Sequence, residues 1–289
     1  MKKQIIDSIL GISSCLVFAA CQKMDRPVLG QYPSDTPVTP ATPLRFYVPF
    51  DSMNSESATK LSYRFADSIS ANPSFPASKD LSFVQGIHGT SLKGANGTAL
   101  KYVNANDMKT ATSFSVALWI KQSADAATGR TEFYFSLMDD SYGWSHSALF
   151  MMIEHATASA ATLKVGVMDQ WMEFPDGNQL KKPILDGNWH HLVICYDETT
   201  SKMSYYFDGT LVAGAPSSAT DVKNNGNPRG KLDFSKTSYL VIGGWNAQVG
   251  LAGPTDDWVK SYTGALDQFR MYNKVLSATE VADLYNGKK

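Results

Sequence analysis

The chain has 289 residues, of which 43% are apolar and 18% charged, and its formal net charge is −1 at pH 7. This charge gives no electrostatic case for binding nucleic acid or an acidic membrane surface. The apolar content is sufficient for a large core, and no segment after the amino terminus is long and apolar enough to cross a bilayer as a helix.

The amino terminus has the organisation of a bacterial signal peptide. Lys2 and Lys3 precede an apolar run from Ile9 to Ala20, which ends in small residues before Cys21. This order resembles the lipobox of bacterial lipoproteins. It predicts a signal peptide over residues 1–20 and lipidation of Cys21. The alternative is an ordinary signal peptide that happens to contain this cysteine.

Residues 21–43 form a proline-rich segment, with five prolines among Asp, Ser and Thr. Such a composition favours extended chain and cannot bury a core, so we expect a stiff spacer. Residues 44–289 then fit one all-β domain. Cys195 is the one cysteine that would remain unmodified in the mature chain, so no internal disulfide is expected.

Alternating apolar residues predict a series of strands along this domain. In the strand at 189–196, Leu192, Ile194 and Tyr196 face one side, and the other side is also largely apolar, as in a central strand covered on both faces. Asp208-Gly209 then predicts a two-residue hairpin turn. The other predicted strands are 46–50, 114–121, 133–138, 148–153, 163–168, 203–207, 210–212, 239–243 and 264–272.

The carboxy terminus carries a helix signal after the last predicted strand. Ser277 and Glu280 have the spacing of a capping box, and Leu276 and Val281 that of a hydrophobic staple. These four residues predict a short helix that begins at this point and ends the domain.

Several of these motifs occur in the order typical of one family. Asp186-Gly-Asn-Trp-His-His191 precedes an apolar strand, and Tyr205-Tyr-Phe-Asp-Gly209 follows it; Gly264-Ala-Leu-Asp-Gln-Phe-Arg-Met-Tyr272 leads into the capping box. Together they resemble laminin-G-like, or concanavalin A-like, jelly-roll domains over residues 44–287. The resemblance implies an all-β concanavalin A-like jelly-roll β-sandwich with a short C-terminal helix, in which Trp119 and Trp189 support the fold.

The same resemblance implies one structural calcium ion between the first and last strands. The matching positions are Asp51 and Asp267, with backbone carbonyls near His88-Gly89 completing the shell. Calcium takes about 6–8 oxygen ligands, so the two carboxylates alone would be insufficient. The alternative is that Asp51 is a turn residue and Asp267 accepts hydrogen bonds from backbone amides.

A second group of aromatic residues lies outside the strand signature, in segments rich in Gly, Asp and Asn. Such residues suit a sugar site, because ring faces stack on the apolar face of a sugar while amide and carboxylate groups meet its hydroxyls. The alternative is that each tryptophan covers an edge of the sandwich. The candidate ligand-binding residues are Tyr142, Trp144, His146, Trp171, Trp245 and Trp258.

A glycosidase is the alternative function. Asp169, Trp171 and Glu173 would share one face of a strand, as the carboxylates of some jelly-roll glucanases do. Here the first position is a shorter acid and the central acid is absent. We therefore expect no catalytic residue, and an endo-acting hydrolase using Asp169 and Glu173 remains the competing interpretation.

The sequence thus predicts a non-catalytic glycan-binding lipoprotein. The order of signal, spacer and jelly roll resembles accessory lipoproteins of Sus-like polysaccharide-utilisation systems. The expected partners are an oligo- or polysaccharide, the outer membrane through the lipid anchor, and other proteins of a glycan-uptake complex, with no nucleic acid. We expect exposure at the cell surface. A protein-binding adhesion module is a further alternative.

Overall fold

The computed structural model describes residues 42–51, 65–70, 75–76, 81–124, 130–168 and 170–287. The predicted signal peptide, Cys21 and nearly all of the spacer lie outside these ranges. The first strand begins at Leu44. Among the described helices, none has the length and apolar character needed to span a membrane.

Two large sheets pack face to face. In chain order the strands are β1 (Leu44–Val48), β2 (Phe75–Pro76), β3 (Ser82–Gln85), β4 (Thr90–Lys93), β5 (Leu100–Tyr102), β6 (Phe114–Ser123), β7 (Thr131–Met138), β8 (Ser147–Glu154), β9 (Thr162–Val167), β10 (Gln170–Glu173), β11 (Asp186–Asp197), β12 (Lys202–Phe207), β13 (Thr210–Leu211), β14 (Lys223–Asn224), β15 (Asn227–Pro228), β16 (Leu240–Ile242), β17 (Val259–Ser261) and β18 (Ala265–Tyr272). The described residues also include two short helices, α1 (Ser217–Thr220) and α2 (Ala278–Gly287), and three 3-10 turns at Asn106–Thr110, Asp176–Asn178 and Asn246–Val249.

Sheet I has the order β13-β12-β11-β6-β18-β4-β3, with β1 also paired to β18. Sheet II has the order β10-β9-β8-β7-β16-β5-β2, with β17 paired to β7. All of these pairings are antiparallel except that of β17 with β7. The predicted all-β sandwich with a short C-terminal helix is therefore confirmed.

The predicted two-sided burial of β11 is confirmed. Leu192, Ile194 and Tyr196 lie in the main core between the sheets. Val193 and Cys195 face the opposite way and join a second apolar cluster. Because both faces are covered, the alternation of polar and apolar residues that marks a half-exposed strand is absent here.

Helix α2 covers the outer face of sheet I. Its capping box is present, since the Ser277 backbone N–H donates to Glu280 Oε2 (2.9 Å) and the Glu280 N–H donates to Ser277 Oγ (3.2 Å). Leu276 and Val281 are both buried in the cluster beneath the helix. Tyr285, near the end of the helix, stacks on Trp119 with ring centroids 5.5 Å apart.

Candidate functional site

Three tryptophans are exposed together on the outer face of sheet II. Trp144, Trp171 and Trp258 expose 41%, 40% and 43% of their surfaces. Trp144 lies between the other two, with ring centroids 5.6 Å from Trp171 and 5.4 Å from Trp258. The planes of Trp144 and Trp258 differ by only 13°. We call these three residues the aromatic surface.

The register of sheet II places Trp171 beside Phe150. Trp171 on β10 pairs with Gly166 on β9, which in turn pairs with Phe150 on β8. Since residue 166 has no side chain, the two rings meet across β9 with centroids 5.0 Å apart. A Cβ at position 166 would lie 1.9 Å from Cε1 of Phe150. The glycine is therefore required for this arrangement.

The loop between β7 and β8 holds Trp144 in place. The His146 N–H donates to the carbonyl of Tyr142 (2.9 Å), and the Asn246 side-chain amide donates to the carbonyl of His146 (3.0 Å). At the tip of the loop, the Trp144 indole N–H donates to Asp256 Oδ2 (3.1 Å). This last bond joins the loop to the segment that carries Trp258.

A pocket lies between Trp144 and Trp171. None of its lining side chains is an acid or a base. Its volume is about 160 Å³, and its lining residues are Tyr142, Gly143, Trp144, Ser145, Phe150, Met168, Gln170 and Trp171. The structure thus brings Tyr142, Trp144 and Trp171 of the predicted set to one pocket, with Trp258 stacked beside it.

Two predicted ligand contacts lie elsewhere. Trp245 is fully buried, with its ring 4.2 Å from that of Phe133 and 4.6 Å from that of Phe150. The prediction that Trp245 contacts a ligand is wrong, because Gly253 and the chain before it fold over the indole. Trp245 packs beneath Trp144 instead, with ring centroids 5.9 Å apart. His146 does not line the pocket, and its Nδ1 lies 3.1 Å from Asp140 Oδ1.

The two predicted calcium ligands face the same glycine-rich loop. Asp267 Oδ2 accepts a hydrogen bond from the Ile87 N–H (2.7 Å), and Asp51 Oδ1 accepts one from the Thr90 N–H (3.1 Å). The carboxylates fit directly against the two glycines of this loop: a Cβ on Gly86 would lie 2.5 Å from Asp267 Oδ2, and one on Gly89 would lie 2.2 Å from Asp51 Oδ1.

Burial raises the pKa of the fully buried Asp267 carboxyl to about 7; the charge of Asp51 adds to the shift, and hydrogen bonds from backbone N–H groups oppose it. Two hard carboxylate oxygens around one loop suit the chemistry of calcium, whose charge would offset this repulsion. Among the described residues, no group of three His, Cys, Asp or Glu side chains could hold a metal. Backbone carbonyls and water would have to supply the other ligands.

Comparison with known proteins defines the family. The sequence matches the family Laminin_G_3, described as the Concanavalin A-like lectin/glucanases superfamily, over residues 94–282. This range includes strands of both sheets and all three residues of the aromatic surface. The chain belongs to this superfamily. No curated protein was found that matches it.

Solved structures of other proteins resemble this domain in architecture. One is domain 4 of AbnA, a GH43 extracellular arabinanase from Geobacillus stearothermophilus, in complex with arabinotriose: it is 16% identical, with a TM-score of 0.52 and coverage of 84% of this chain and 98% of that chain. Another is the binding domain of botulinum neurotoxin serotype D: it is 13% identical, with a TM-score of 0.52 and coverage of 84% of this chain and 51% of that chain. These likenesses concern the fold.

In this lectin-like domain, the acid proposed for the alternative hydrolase is engaged by a lysine. Lys164 forms ion pairs with Glu154 and with Glu173, whose Oε2 lies 3.4 Å from the ammonium nitrogen. The same ammonium lies 5.8 Å from the ring centroid of Trp171. Asp169, the other candidate acid, lies outside the described residues. The described part of the site thus shows Glu173 in an ion pair beside the aromatic surface.

The two adjacent histidines of the lectin-like domain have opposite environments. His190 lies between two carboxylates, with Nδ1 2.9 Å from Asp208 Oδ2 and Nε2 3.0 Å from Asp186 Oδ1. Burial lowers its pKa, but the hydrogen bonds that the ring donates to these carboxylates, together with their negative charges, outweigh burial, so the pKa is raised. His191 is fully buried with both ring nitrogens unpartnered, and burial, with the charge of Arg270, lowers its pKa to about 3.

The residues that shape the floor and one side of the pocket were not singled out from the sequence. Phe150 forms its floor, and Gly166 makes room for that ring; Met168 and Gln170 line its side. The available signal was a glycine inside an otherwise apolar strand, which often marks a close approach of neighbouring groups.

Proposed function

We propose that this domain binds a glycan on the aromatic surface without cleaving it. The observation that carries the proposal is the convergence of three half-exposed tryptophans from three separate segments over one uncharged pocket. Contiguous exposed apolar groups are unusual on a soluble domain and mark binding sites. Indole rings suit the apolar faces of sugars in particular.

Polar groups at the margins of the pocket support a sugar rather than a purely apolar ligand. Ser145 and Gln170 lie at its rim, and Asp256 lies against the edge of Trp144. A few polar groups around an apolar floor are typical of a site that orients a hydroxyl-rich ligand. A protein-binding adhesion module is the weaker interpretation, because an aromatic-poor apolar patch would suit it better.

The cellular setting belongs to the same proposal. Cys21 follows a signal-like segment, which supports a lipid-anchored protein of the outer membrane, exposed at the cell surface and assisting glycan capture in a Sus-like uptake complex. Cys21→Ala should move the protein from the membrane fraction to the soluble fraction. A mature terminus at another residue, without lipid, would contradict the anchor.

We further propose one structural calcium ion at Asp51 and Asp267. Both carboxylates face the loop at residues 86–90, and burial together with the charge of Asp51 disfavours the ionised form of Asp267, which a bound cation would offset. Calcium bound there would hold the loop against β18 and would take no part in glycan binding.

The test is a glycan array with a soluble, unlipidated chain that begins at Gln22. We expect at least one oligosaccharide to bind, and Trp144→Ala to weaken that binding by about ten- to a hundredfold, since a central aromatic contributes about 1–3 kcal/mol. Trp189→Ala, which removes a tryptophan on sheet I, is the matched control and should leave affinity unchanged. Equal losses in both variants would contradict the proposed site.

The absence of catalysis is tested separately. Incubation of the chain with its best array ligand should produce no new reducing ends. If turnover occurs and disappears in Glu173→Gln, the hydrolase interpretation replaces ours. Retention of binding in Glu173→Gln is expected, because this carboxylate is held by Lys164 at the rim.

A further inference from the structure

The rim of the aromatic surface carries several exposed carboxylates. Asp256 and Asp257 immediately precede Trp258, and Asp140 lies in the loop of Trp144. Asp256 Oδ2 is within 3.1 Å of the Trp144 indole nitrogen, so at least one negative charge touches the surface itself. Any anionic group on a ligand stacked over Trp144 and Trp258 would therefore meet charges of its own sign.

The cation nearest these rings is already paired. Lys164, beside Trp171, lies between Glu154 and Glu173, so this group of three carries a net negative charge. At the Gln170 end of the pocket, the Gln170 amide oxygen accepts from the backbone N–H of Lys223 (2.6 Å), which places one further lysine on that side. The described charges around the site are thus more acidic than basic.

The polar atoms that line the pocket are largely engaged within the protein. The Tyr142 hydroxyl donates to Met168 Sδ (2.8 Å), and the Trp144 indole N–H donates to Asp256. Gln170 accepts from the Lys223 N–H through its amide oxygen and donates to the Asp221 carbonyl through its amide nitrogen (3.0 Å). What the pocket mainly offers a ligand is therefore ring surface, and ring surface does not require a charged partner.

We infer that the aromatic surface takes an uncharged glycan, held mainly by stacking, and discriminates against chains that carry carboxylate or sulfate groups. This inference rests on the proposed function and specifies its substrate class. A cationic glycan is the competing ligand, since indole rings and a rim of carboxylates also attract ammonium groups. The uncharged ligand is favoured because the pocket itself contains no acid that could pair with a buried cation.

The experiment compares three classes of hexasaccharide by calorimetry with the same chain from Gln22 onward, at 50 and 500 mM NaCl. The neutral probes are gluco-, xylo-, manno-, galacto- and arabino-hexaoses; the anionic probes are hexamers of galacturonate and mannuronate; the cationic probe is a chitosan hexamer. We expect the tightest binding from a neutral probe, with an affinity that changes less than twofold between the two salt concentrations, because no ion pair is made or broken.

Two charge-reversal variants test the effect of the carboxylates at the rim of the aromatic surface. Asp257→Lys should strengthen binding of the anionic probes by about two- to fourfold at 50 mM NaCl, the range for reversing one charge about 10 Å from a ligand charge in water with and without salt screening. It should leave neutral binding unchanged. Asp283→Lys makes the same change in net charge on helix α2 at the other face of the domain, and should alter neither class.

The outcomes distinguish failure of the proposed glycan binding from failure of the inferred preference for an uncharged glycan. If a uronate or the chitosan hexamer binds as tightly as the best neutral probe, the glycan site stands and the inference about its charge preference is overturned. If none of the probes binds, both the proposed function and the inference are overturned. Neutral preference together with the Asp257→Lys effect supports both.

Discussion

On the outer face of sheet I, Trp119 is 1% exposed, because Tyr285 of helix α2 stacks on its ring. On the outer face of sheet II, the aromatic surface has no such cover and each of its tryptophans exposes about two fifths of its area. The residue type is the same on both faces, and both faces lie outside the main core. What separates a buried tryptophan from an exposed one on these outer faces is therefore the element packed over it.

The outer face of sheet II, which we call the open face, has a small apolar cluster of its own. Trp245 belongs to it together with Phe133, Phe150, Met152 and Val259, beneath the exposed rings. This cluster supports the aromatic surface in the way that the main core supports the strands. Burial, and not loop position, thus decides which tryptophans on this face can meet a ligand.

The largest expected effect on stability comes from replacing the buried tryptophans by alanine, in comparison with an exposed one. Trp119→Ala should lower the free energy of unfolding by about 3–5 kcal/mol, because it opens a cavity under helix α2, and Trp245→Ala should act similarly. Trp258→Ala should cost less than about 1 kcal/mol, because its ring is half exposed. Urea denaturation measures all three, and equal losses would remove the distinction between the two faces.

Calcium should affect stability without affecting the open face. If the ion binds only the folded chain, saturation at about 100 times its Kd stabilises the domain by about 2.7 kcal/mol. A chelator should then lower the Tm while glycan affinity, measured below that temperature, stays the same. Asp267→Asn should abolish the response to chelator. An unchanged Tm, with no calcium found in the purified protein by elemental analysis, would contradict the site.

The floor of the pocket is tested by Gly166→Ala. The added methyl group meets the ring of Phe150 and should displace it, which costs about 1–3 kcal/mol in stability and disturbs the neighbouring Trp171. We expect a loss of affinity of roughly tenfold in the folded protein, although no tryptophan is removed. Gly177→Ala, at a position with open space around it and outside the pocket, is the control. Unchanged affinity in Gly166→Ala would show that Phe150 does not shape the site.

The outer face of sheet I, which helix α2 covers, should contribute the stronger pH dependence of stability, because it contains His191. Because the pKa of His191 is about 3 in the folded chain and near 6.5 when unfolded, only the unfolded state takes up this proton as the pH falls below 6.5. Stability should therefore fall with decreasing pH by up to about 1.4 kcal/mol per pH unit. His191→Phe keeps an aromatic ring and should reduce this loss of stability with falling pH, the acid limb of the stability curve, between pH 6.5 and 4.5.

His190 provides the comparison with the opposite sign. Its pKa is raised in the folded chain, so its contribution is fully present below pH 6.5 and is lost as the pH rises through the folded pKa. His190→Asn should therefore destabilise the domain most at acidic pH. Urea denaturation as a function of pH measures both variants, and identical acid limbs in wild type and His191→Phe would contradict this assignment.

The fold could be predicted from the sequence where short-range patterns determine it. The capping box at Ser277 and Glu280 and the two apolar faces of β11 each depend on residues within a few positions of one another. The ordered motifs around Trp189 then indicated the family. These features need no knowledge of how distant segments meet.

The candidate site could be predicted only in part, because it is assembled from distant segments. The sequence identified Trp144, Trp171 and Trp258, but their contact depends on the register of β9 and β10 and on the bond between Trp144 and Asp256, which is 112 residues away. The same limit explains the error at Trp245. Its flanking glycines indicate a loop, whereas the fold of residues 246–253 over the ring is a tertiary feature.

The most direct test of the account is an NMR titration of the indole N–H signals of the six tryptophans, assigned by single substitutions, with the best neutral glycan. We expect the signals of Trp144, Trp171 and Trp258 to shift with ligand, and those of Trp119 and Trp189 on sheet I to stay in place. Shifts confined to Trp119 and Trp189, or binding that leaves the three exposed indoles unperturbed, would contradict a glycan site on the open face.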